Sequence, residues 1–408
     1  MLTILDIIFL VTMLNFSYFT FFYLSLWFQS VTPIKKNPLR KDFPAVSILI
    51  PAYNEENAIA QTLKSILKLN YPKNKLQIIV IDDGSKDETY KIAKNFESRN
   101  IKILTKKNGG KASALNLGIN HAKTNFVAVC DADTFLEKNA LINCIKNFDE
   151  DKVAAVTSHI LVKNKNSIWE KLQSIEMMII AIMRKAQEQM NIVSATPGPL
   201  SVYRKNVLIK VGKFDEKNLV EDVEIAWRLI KNGYKIKVAF DAYAYSVYPN
   251  TISRWWKQRL RWGIGGIQTT LKYAKNIFDK KTFGVGNFLV PTSFLGYSYT
   301  FIWVLTFAYL VFSSLFNFSA FTIGAIENGV DPLKSLNLYY EIDIRFFYGL
   351  SMFFVSIAVL KFVLSIHKEK VSVRDSFLFL VVYSLLFPVI HLYSIYKFVR
   401  KERGWLTK

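Results

Sequence analysis

Four long apolar stretches stand out in the pattern of hydrophobic and polar residues along the chain. They cover approximately residues 4–28, 288–318, 346–366 and 376–398. Each stretch is near or above the roughly 20 residues that an α-helix needs to cross the hydrocarbon core of a bilayer. The pattern therefore predicts one membrane span before a more polar middle region and three spans after it.

The first apolar stretch is predicted to be a retained anchor and not a cleaved secretion signal. It has no basic residue ahead of the apolar run, carries Asp6 there instead, and is longer than the apolar part of such a signal. It is followed by a group of basic residues, namely Lys35, Lys36, Arg40 and Lys41. Because cations are enriched in cytoplasmic loops, the middle region is predicted to lie in the cytosol.

The charges after the middle region agree only in part with this orientation. The loop between the second and third spans carries Glu327, Asp331, Glu341 and Asp343 against Lys334 and Arg345, which is acceptable outside the cell. Four crossings would also place outside the basic tail residues Arg400, Lys401, Arg403 and Lys408. This conflict with the usual charge bias leaves open that one segment is re-entrant, interfacial or doubled, with candidate breaks at Pro291 and Pro388.

Short apolar runs alternate with amphipathic stretches in the middle region, at about residues 44–284. The runs predicted to be strands are 46–50, 78–82, 101–104 and 126–130, and the stretches between them include 59–69 and 112–121. This alternation predicts a mostly parallel sheet between helices. Ligands of such sheets bind beyond the carboxyl ends of the strands, where three of the four runs are followed by polar or acidic residues.

The composition agrees with a chain divided into membrane spans and a middle domain, and the net charge bears on which partners the protein binds. The chain has 408 residues, of which 51% are hydrophobic, enough for one globular domain and several spans. Its net charge of +21 is spread along the whole chain without a nucleic-acid-binding motif, so anionic headgroups and a phosphate-bearing substrate are the simpler partners. Cys130 and Cys144 are predicted to be buried, reduced thiols, and the histidines form no constellation visible in the sequence.

Residues 248–266, YPNTISRWWKQRLRWGIGG, combine cations with several indoles. A helical period of 3.6 residues predicts one apolar stripe, formed by Ile252, Trp256, Leu260, Ile264, Ile267 and Leu271. Lys257, Gln258 and Arg261 then point largely away from it, and the helix would lie in the bilayer interface. The mixture suits a sugar and a pyrophosphate held at a membrane surface, and it equally suits a basic helix that only anchors a domain.

Acidic and polar residues at three predicted strand ends suit a nucleotide and a metal ion. Asp131 and Asp133 follow the fourth strand and can offer two carboxylates to one hard divalent cation, although aspartates there are also common turn formers. Asp83 suits a tight turn after the second strand, whereas Asp82 has no such explanation. PAYNEE, at residues 51–56, supplies an aromatic ring, an amide and two acids that suit a base, as ordinary loop chemistry also would.

Two further segments suit phosphate binding and proton transfer. Gly109 and Gly110 precede a predicted helix whose free amides, together with the cation of Lys111, favour a phosphate, although such glycine pairs are common before helices. Glu221 and Asp222 stand at the start of another predicted helix. They complement the helix dipole, or one of them acts as a general base for an attacking hydroxyl.

Seven motifs, in their order and approximate spacing, resemble the membrane-embedded, processive family 2 glycosyltransferases, which include hyaluronan, chitin-oligosaccharide, poly-N-acetylglucosamine and cellulose synthases. The motifs are PAYNE, DDGS, NGGKASALN, DAD, PGPLSVYR, ED and QRLRW. The resemblance covers about residues 44–266. It implies an α/β fold of GT-A type, with a mostly parallel sheet flanked by helices, plus transmembrane and interfacial helices. The implied parts are an anchor (1–30), a cytosolic glycosyltransferase domain (31–247), interfacial helices (248–284) and a transmembrane region (285–408).

The resemblance also implies a role for individual residues in binding the donor. Tyr53, Glu55 and Asp83 would contact the uracil and ribose of a UDP-sugar. Asp82 would lie nearby, and Lys111 would lie near the nucleotide. The donor would therefore bind where the first two predicted strands end.

The remaining roles implied by the resemblance concern the metal, the base and the acceptor. Asp131 would touch the nucleotide and, with Asp133, bind Mg²⁺ or Mn²⁺, while Asp222 would be the catalytic base. The pyrophosphate and the acceptor sugar would be held by Gln258, Arg259, Arg261 and Trp262, above a floor made by Gly198 and Pro199. The chain departs from the family pattern at Val220, where the family usually has threonine before ED.

The reaction implied by the resemblance is an inverting, metal-dependent transfer from a UDP-sugar to the hydroxyl end of a growing β-linked polysaccharide, with export across the membrane. PGPLSVYR resembles the corresponding stretch of hyaluronan and chitin-oligosaccharide synthases more than that of cellulose synthases, which favours UDP-N-acetylglucosamine as donor. The expected setting is the plasma membrane, with several spans and lipids as partners, while any accessory subunit stays unknown. The alternatives are a single-addition transferase acting on a lipid-linked acceptor, and a non-catalytic membrane receptor or channel.

Overall fold

An eight-stranded sheet organises the middle of the chain. The computed structural model describes residues 4–31, 43–282, 284–332 and 344–401. The strands are β1 (Val46–Ala52), β2 (Leu76–Asp82), β3 (Ile101–Thr105), β4 (Phe126–Val129), β5 (Thr134–Leu136), β6 (Val153–Val162), β7 (Ser201–Arg204) and β8 (Lys235–Ser246).

Helices flank this sheet and extend away from it. Those of the sheet region are α2 (Ile59–Leu67), α3 (Thr89–Lys94), α4 (Lys111–His121), α5 (Ala140–Lys146), α6 (Ile168–Glu188), α7 (Lys205–Lys210) and α8 (Glu221–Lys231). The others are α1 (Ile4–Val31), α9 (Ile252–Tyr273), α10 (Val290–Glu327), α11 (Ile344–His367), α12 (Val373–Phe377) and α13 (Ser384–Val399).

The strand order is β3-β2-β1-β4-β7-β6-β8-β5. The first four strands in sequence pair in parallel, which confirms the predicted mostly parallel, helix-flanked α/β sheet. Beyond β4 the sheet becomes mixed, because β7 runs antiparallel to both β4 and β6, while β8 pairs in parallel with β6. No pattern in the sequence had predicted this second half.

Apolar residues on both faces explain why the central strands are almost continuously hydrophobic. Along β1, Ile48 and Ile50 belong to one core, and Leu49, which points to the opposite face, belongs to the other. The first core packs under α2 and α5, and the second under α4 and α8. Both faces are therefore shielded from water, and polar chemistry is left to the strand ends.

The polar loops at the carboxyl ends of β1 and β2 are hydrogen-bonded to each other. The Asp83 amide donates to the Ala52 carbonyl at 2.8 Å, and the Asn54 amide donates to Ser85 Oγ at 3.0 Å. Asn54 adopts a φ of 54°, which a short polar side chain tolerates better than a branched one. The PAYNEE and DDGS motifs therefore form one rim beside the central strands.

Four helical segments are long and apolar enough to cross a membrane, in agreement with the four predicted spans. They are Asp6–Ser30, Gly284–Glu327, Phe347–His367 and Val373–Val399. Pro291 lies in the first turn of α10 and Pro388 lies within α13, so neither residue ends a helix. The irregular backbone instead consists of two π-helical segments, Gly284–Leu289 and Leu378–Tyr383, which come just before these helices.

Several charges used for the predicted orientation lie outside the described residues. These are Lys35, Lys36, Arg40, Lys41, Lys334, Glu341, Asp343, Arg403 and Lys408. The side of the membrane on which the middle region lies therefore stays a prediction.

The buried face of α9 differs from the predicted apolar stripe. Leu260, Ile264 and Ile267 are buried as predicted, but Ile252 and Leu271 are 46% and 49% exposed. Trp255 and Arg259 are buried in addition, because α9 packs lengthwise on α13. A period of 3.6 residues marks which positions share a face and does not reveal that the neighbouring helix buries an arginine.

Two histidines that are far apart in the sequence also meet where the sheet contacts a candidate membrane helix. His159 on β6 and His367 at the end of α11 place their Nε2 atoms 3.0 Å apart. Burial lowers the pKa of His159 to about 3, which keeps its ring neutral. Close by, the ammonium of Lys165 lies 2.7 Å from a carboxylate oxygen of Glu369. The sheet is thus attached to the helical region by specific polar contacts.

A prediction follows from the close packing of α4 on the sheet. A Cβ atom on Gly118 would lie 2.9 Å from Ile81 Cδ1 and 3.1 Å from a methyl group of Leu49. Gly118→Val should overpack this buried layer and lower the free energy of unfolding by about 1–3 kcal/mol. Thermal unfolding of the detergent-solubilised protein measures this change. The control is Asn120→Val on the exposed side of the same helix, and equal shifts for the two variants would contradict the packing argument.

Candidate active site

One lysine at the carboxyl edge of the sheet is surrounded by carboxylates from separate segments. Lys111 Nζ, at the start of α4, lies 2.6 Å from Asp131 Oδ1, just after β4. The same atom lies 3.2 Å from Glu221 Oε1, at the start of α8. Burial alone lowers the pKa of Lys111, but Asp131, Glu221 and Asp222 outweigh it and raise the pKa above its ordinary value. Lys111 is therefore a fixed positive charge at neutral pH.

A glycine permits this close assembly. The Asp131 amide donates to the Gly198 carbonyl at 3.2 Å. A Cβ atom on Gly198 would lie 2.3 Å from Asp131 Oδ1 and 2.5 Å from Lys111 Nζ, distances that no side chain allows. The same turn holds the buried Pro199, and Leu200 has a φ of 143°, a strained value for a branched residue. The predicted floor residue Gly198 thus lies against the predicted nucleotide residues.

The carboxyl group of Asp222 has the properties of a proton acceptor. Its pKa is raised to about 6, mainly by burial and also by Glu221, although Lys111 and Arg261 lower it. Its Oδ1 accepts a hydrogen bond from the Val223 amide at 2.9 Å. Since Arg261 acts on this pKa, the structure brings α9 and the start of α8 into one electrostatic site. A carboxyl with such a pKa is ionised at neutral pH and still accepts a proton readily.

Val220, the departure from the family pattern, is a packing residue in this structure. A Cβ atom on Gly265 of α9 would lie 2.6 Å from Val220 Cγ2. Val220 is buried and directly precedes α8. The valine therefore joins the start of α8 to α9 by an apolar contact, in a place where a hydroxyl would add little to the packing.

Asp82 and Asp83 hold the loops at the strand ends. Asp83 is 3% exposed, and its carboxylate accepts from Lys106 Nζ at 2.8 Å and from the amides of Gly109 and Gly110 at 3.1 and 2.7 Å. Asp82 accepts from the Ser85 amide at 3.3 Å. Asp83 therefore shapes the NGG loop before Lys111, whereas Asp82 holds the turn at Ser85. The predicted contact of Asp83 with uracil stays a prediction.

The predicted base-binding residues Tyr53 and Glu55 lie on the neighbouring rim. Both side chains are half-buried. The Glu55 amide donates to Thr89 Oγ1 at 2.7 Å, which attaches this loop to the start of α3. The roles of the Tyr53 ring and the Glu55 carboxylate toward a base stay predictions.

The turn after β4 presents two carboxylates that could hold a divalent cation. Among the described residues, no three acidic, histidine or cysteine side chains converge as a metal cluster. Asp131 and Asp133 are both partly exposed at this turn, and their oxygens are ligands that Mg²⁺ and Mn²⁺ prefer. Mg²⁺ commonly uses one or two protein carboxylates and takes its other ligands from phosphates and water. These two residues therefore fit a cation completed by a bound diphosphate.

The two arginines of the QRLRW motif have different surroundings. Arg261 acts on Asp222, as described above, whereas Arg259 is 4% exposed and pairs with Glu176 of α6 at 2.5 Å. The guanidinium of Arg259 lies 4.1 Å from the ring centroid of the half-buried Trp262, and it donates to Gln258 Oε1. Arg259 therefore has protein partners, and its contact with the pyrophosphate stays a prediction. Arg261 is the cation of this motif that acts on Asp222.

Two charged residues of α6 were missed by the sequence reasoning. Glu176 pairs with Arg259, and Arg184 is 3% exposed, with its Nη1 3.3 Å from Thr157 Oγ1. Burial lowers the pKa of Arg184 to about 10. In the sequence, each is only a charged residue next to apolar positions of a helix. That pattern does not indicate which residue the charge contacts.

Comparisons with known proteins agree with this arrangement. Residues 47–212 match the family described as glycosyl transferase family 2. The poly-beta-1,6-N-acetyl-D-glucosamine synthase of Staphylococcus epidermidis is 32% identical over 300 residues, which cover 69% of this chain and 72% of that protein. The synthase of the same description from Staphylococcus aureus (strain MSSA476) is 35% identical over 248 residues, 59% of each chain. The match thus spans 59% of the length of the Staphylococcus aureus relative.

A solved structure shares the fold over nearly the whole chain. It is a mannosyltransferase from Pyrobaculum calidifontis, in complex with GDP-Man and Mn²⁺. It superposes with a TM-score of 0.64 at 17% identity, covering 96% of this chain and 99% of that one. At this identity the likeness concerns the fold, and it includes helices outside the sheet region.

The ionic cluster around Lys111 leads to a prediction about stability and pH. Lys111→Met leaves Asp131, Glu221 and Asp222 without their central cation. The free energy of unfolding should fall by about 1–3 kcal/mol near neutral pH, less than for a fully buried pair because the lysine side chain is 30% exposed. The loss should shrink as the pH falls below about 6, where Asp222 becomes protonated and no longer repels its acidic neighbours.

Thermal unfolding at acidic and at slightly alkaline pH measures this effect. Lys123→Met, at an exposed position after α4, is the control and should change stability little at either pH. A loss of stability in Lys111→Met that does not depend on pH would contradict the proposed charge balance.

Proposed function

Because this chain belongs to glycosyl transferase family 2, as a member of its processive synthase type, we propose that it builds a β-linked polysaccharide from UDP-N-acetylglucosamine. The observation that carries the proposal is the convergence of Lys111, Asp131 and Asp222 with Arg261 at one edge of the sheet. The two cations suit a diphosphate leaving group, and a carboxylate with a raised pKa, such as that of Asp222, suits a proton acceptor. The Staphylococcus relatives support N-acetylglucosamine as the transferred sugar.

In the proposed reaction the acceptor hydroxyl attacks C1 of the donor sugar from the face opposite the diphosphate. The new bond joins the acceptor oxygen to C1, the bond from C1 to the phosphate oxygen breaks, and the hydroxyl proton passes to the carboxylate of Asp222. The configuration at C1 is thereby inverted. A pKa of about 6 lets Asp222 be ionised before the attack and accept the proton during it.

The residues around Asp222 stabilise the charge that develops on UDP. Lys111 and Arg261 are fixed cations near the position proposed for the diphosphate, and preorganised charges of this kind lower the barrier without reorganisation. Mg²⁺ or Mn²⁺ held by Asp131 and Asp133 would supply further charge neutralisation. Tyr53, Glu55 and the loop shaped by Asp83 hold the uridine.

Processive synthesis, in preference to single addition to a lipid-linked acceptor, is supported by the surroundings of Trp262. Its indole packs with the buried cluster of Ile160, Val162, Met177 and Tyr248. The helix that carries it packs on α13. A sugar stacked on Trp262 is therefore placed between the transferase site and the helices proposed to span the membrane. We accordingly place the enzyme in the plasma membrane with its catalytic region in the cytosol and its product exported.

Donor choice and product length test this proposal directly. The purified enzyme in detergent is incubated with labelled UDP-N-acetylglucosamine or labelled UDP-glucose, with Mg²⁺, Mn²⁺ or a chelator, and the products are sized. We expect a long polymer from UDP-N-acetylglucosamine alone, and none with the chelator. Short products of one added sugar would favour the single-addition transferase, and the absence of transfer from either donor would refute the proposal.

Asp222 gives a second test, based on pH. Because its pKa is about 6 and only the ionised form is a base, kcat/KM should fall about tenfold per pH unit below that value. Asp222→Asn should lower transfer about 10²- to 10⁴-fold while UDP binding stays nearly intact.

Initial rates across pH and competition by unlabelled UDP measure these two effects. The control is Asp151→Asn, at an exposed position before β6, which should leave both unchanged. Turnover retained by Asp222→Asn in purified membranes would exclude Asp222 as the base.

A further inference from the structure

A buried polar cluster joins three distant segments of the chain behind the proposed acceptor site. Glu176 Oε2, on α6, accepts hydrogen bonds from Arg259 Nη2 at 2.5 Å and from the Tyr383 hydroxyl at 2.6 Å. The Tyr383 oxygen in turn accepts from Trp255 Nε1 at 2.6 Å. One carboxylate oxygen thus connects α6, α9 and the segment that precedes α13.

The four side chains of this cluster are almost completely removed from solvent. Trp255 and Tyr383 are 0% exposed, Arg259 is 4% exposed and Glu176 is 8% exposed. A buried ion pair is costly to desolvate and is tolerated when further hydrogen bonds satisfy it, and removing one partner leaves an uncompensated charge. The Tyr383 hydroxyl supplies one such bond to Glu176 and is itself held by Trp255. Arg259 Nε has no hydrogen-bond partner among the described residues, so the guanidinium is held through Nη1 and Nη2.

Arg259 contacts two other residues of the QRLRW motif, Trp262 and Gln258. Its guanidinium carbon lies 4.1 Å from the centroid of the Trp262 ring, close enough for a cation–π contact. Its Nη1 donates to Gln258 Oε1 at 2.5 Å. The indole proposed to stack on the acceptor sugar therefore rests on a cation that Glu176 and Tyr383 hold.

The backbone around Tyr383 supports a specific role for this residue. Tyr383 is the last residue of the π-helical segment Leu378–Tyr383, directly before α13. A π-helical turn shifts the direction of the following side chains relative to a regular α-helix, and such turns occur frequently at functional sites. Here the irregular turn comes where a hydroxyl from an apolar candidate span reaches the Glu176 carboxylate.

We propose that Glu176 and Tyr383 are positioning residues that, through Arg259, hold the indole of Trp262 in the orientation needed to receive the acceptor sugar. The segment Leu378–Val399 would then set the geometry of the acceptor site from within the membrane region. This inference rests on the proposed function, since it assigns the acceptor sugar to Trp262. It gives Arg259 a role different from pyrophosphate binding, which falls to Arg261.

Removing one hydroxyl tests this inference with a minimal change. Tyr383→Phe keeps the ring and deletes both hydrogen bonds of the oxygen. A hydrogen bond to a charged group contributes enough for a roughly tenfold effect, so we expect elongation, measured as kcat/KM for an added oligosaccharide acceptor, to fall about tenfold. The product should become shorter, and competition by UDP should give an unchanged Kd for the nucleotide.

The matched control is Tyr396→Phe, in α13 and in the same candidate span as Tyr383, at a position that is 47% exposed. It should leave product length and acceptor kinetics unchanged. Glu176→Gln is the second variant, which keeps the shape of the side chain and removes its charge, and it should show the same pattern. Size-exclusion chromatography and thermal unfolding select whichever of the two variants folds as the wild type does.

A double-mutant cycle separates positioning of Trp262 from general stabilisation. If Tyr383 acts through Trp262, then Tyr383→Phe should change acceptor kinetics little once Trp262→Phe is already present. Additive effects of the two substitutions would overturn the inference. So would a loss of UDP affinity in Tyr383→Phe, because that would assign Arg259 to the pyrophosphate.

The wild-type enzyme in the same assay distinguishes a failure of the proposed function from a failure of this inference. A wild type that performs no transfer refutes the proposed function, and the inference falls with it. A wild type that makes polymer while Tyr383→Phe and Glu176→Gln make polymer of the same length at the same rate refutes the inference alone.

Discussion

The balance of charge around Lys111 is the constraint on which the proposed active site depends. Three carboxylates, those of Asp131, Glu221 and Asp222, act on one ammonium group. The ammonium group offsets the repulsion among these carboxylates. The same balance leaves Asp222 with a pKa of about 6, so the arrangement that stabilises the cluster also prepares a base. Gly198 is the steric condition for this assembly, because any side chain there would occupy the space of the ion pair.

A second network fixes how the sheet region is attached to the apolar helices. α6 packs on β6 and β8 of the sheet and also contacts α1 and α11. Through Glu176 it reaches both α9 and the π-helical turn at Tyr383. Because buried polar groups require specific partners, such contacts hold helices in one register, whereas apolar contacts alone tolerate small displacements. The Glu176 cluster therefore connects the proposed acceptor site on α9 with the candidate span that contains Tyr383 and α13.

The two arginines of the QRLRW motif belong to different networks, one around the proposed base and one behind the proposed acceptor site. Arg261 belongs to the electrostatic environment of Asp222, while Arg259 belongs to the Glu176 cluster behind Trp262. Val220 completes the connection, because its packing on Gly265 keeps α9 close to the start of α8, where the proposed base stands. Two arginines separated by one residue thus differ in role because a helix turns them toward different neighbours.

The sequence by itself determined the properties that depend on local pattern. The apolar stretches were long enough to predict four candidate spans, the alternation of apolar runs predicted the parallel strands β1 to β4, and the order of seven motifs predicted the family. Only the tertiary structure decided the antiparallel pairing of β7, the contact between His159 and His367, and the partners of Glu176 and Arg184. The physical reason is that periodicity and turn chemistry act within a few residues, whereas these contacts join residues tens to hundreds of positions apart. A charged residue in an amphipathic helix has the same local pattern whether it faces water or a buried partner, and only the packing of the whole chain distinguishes the two.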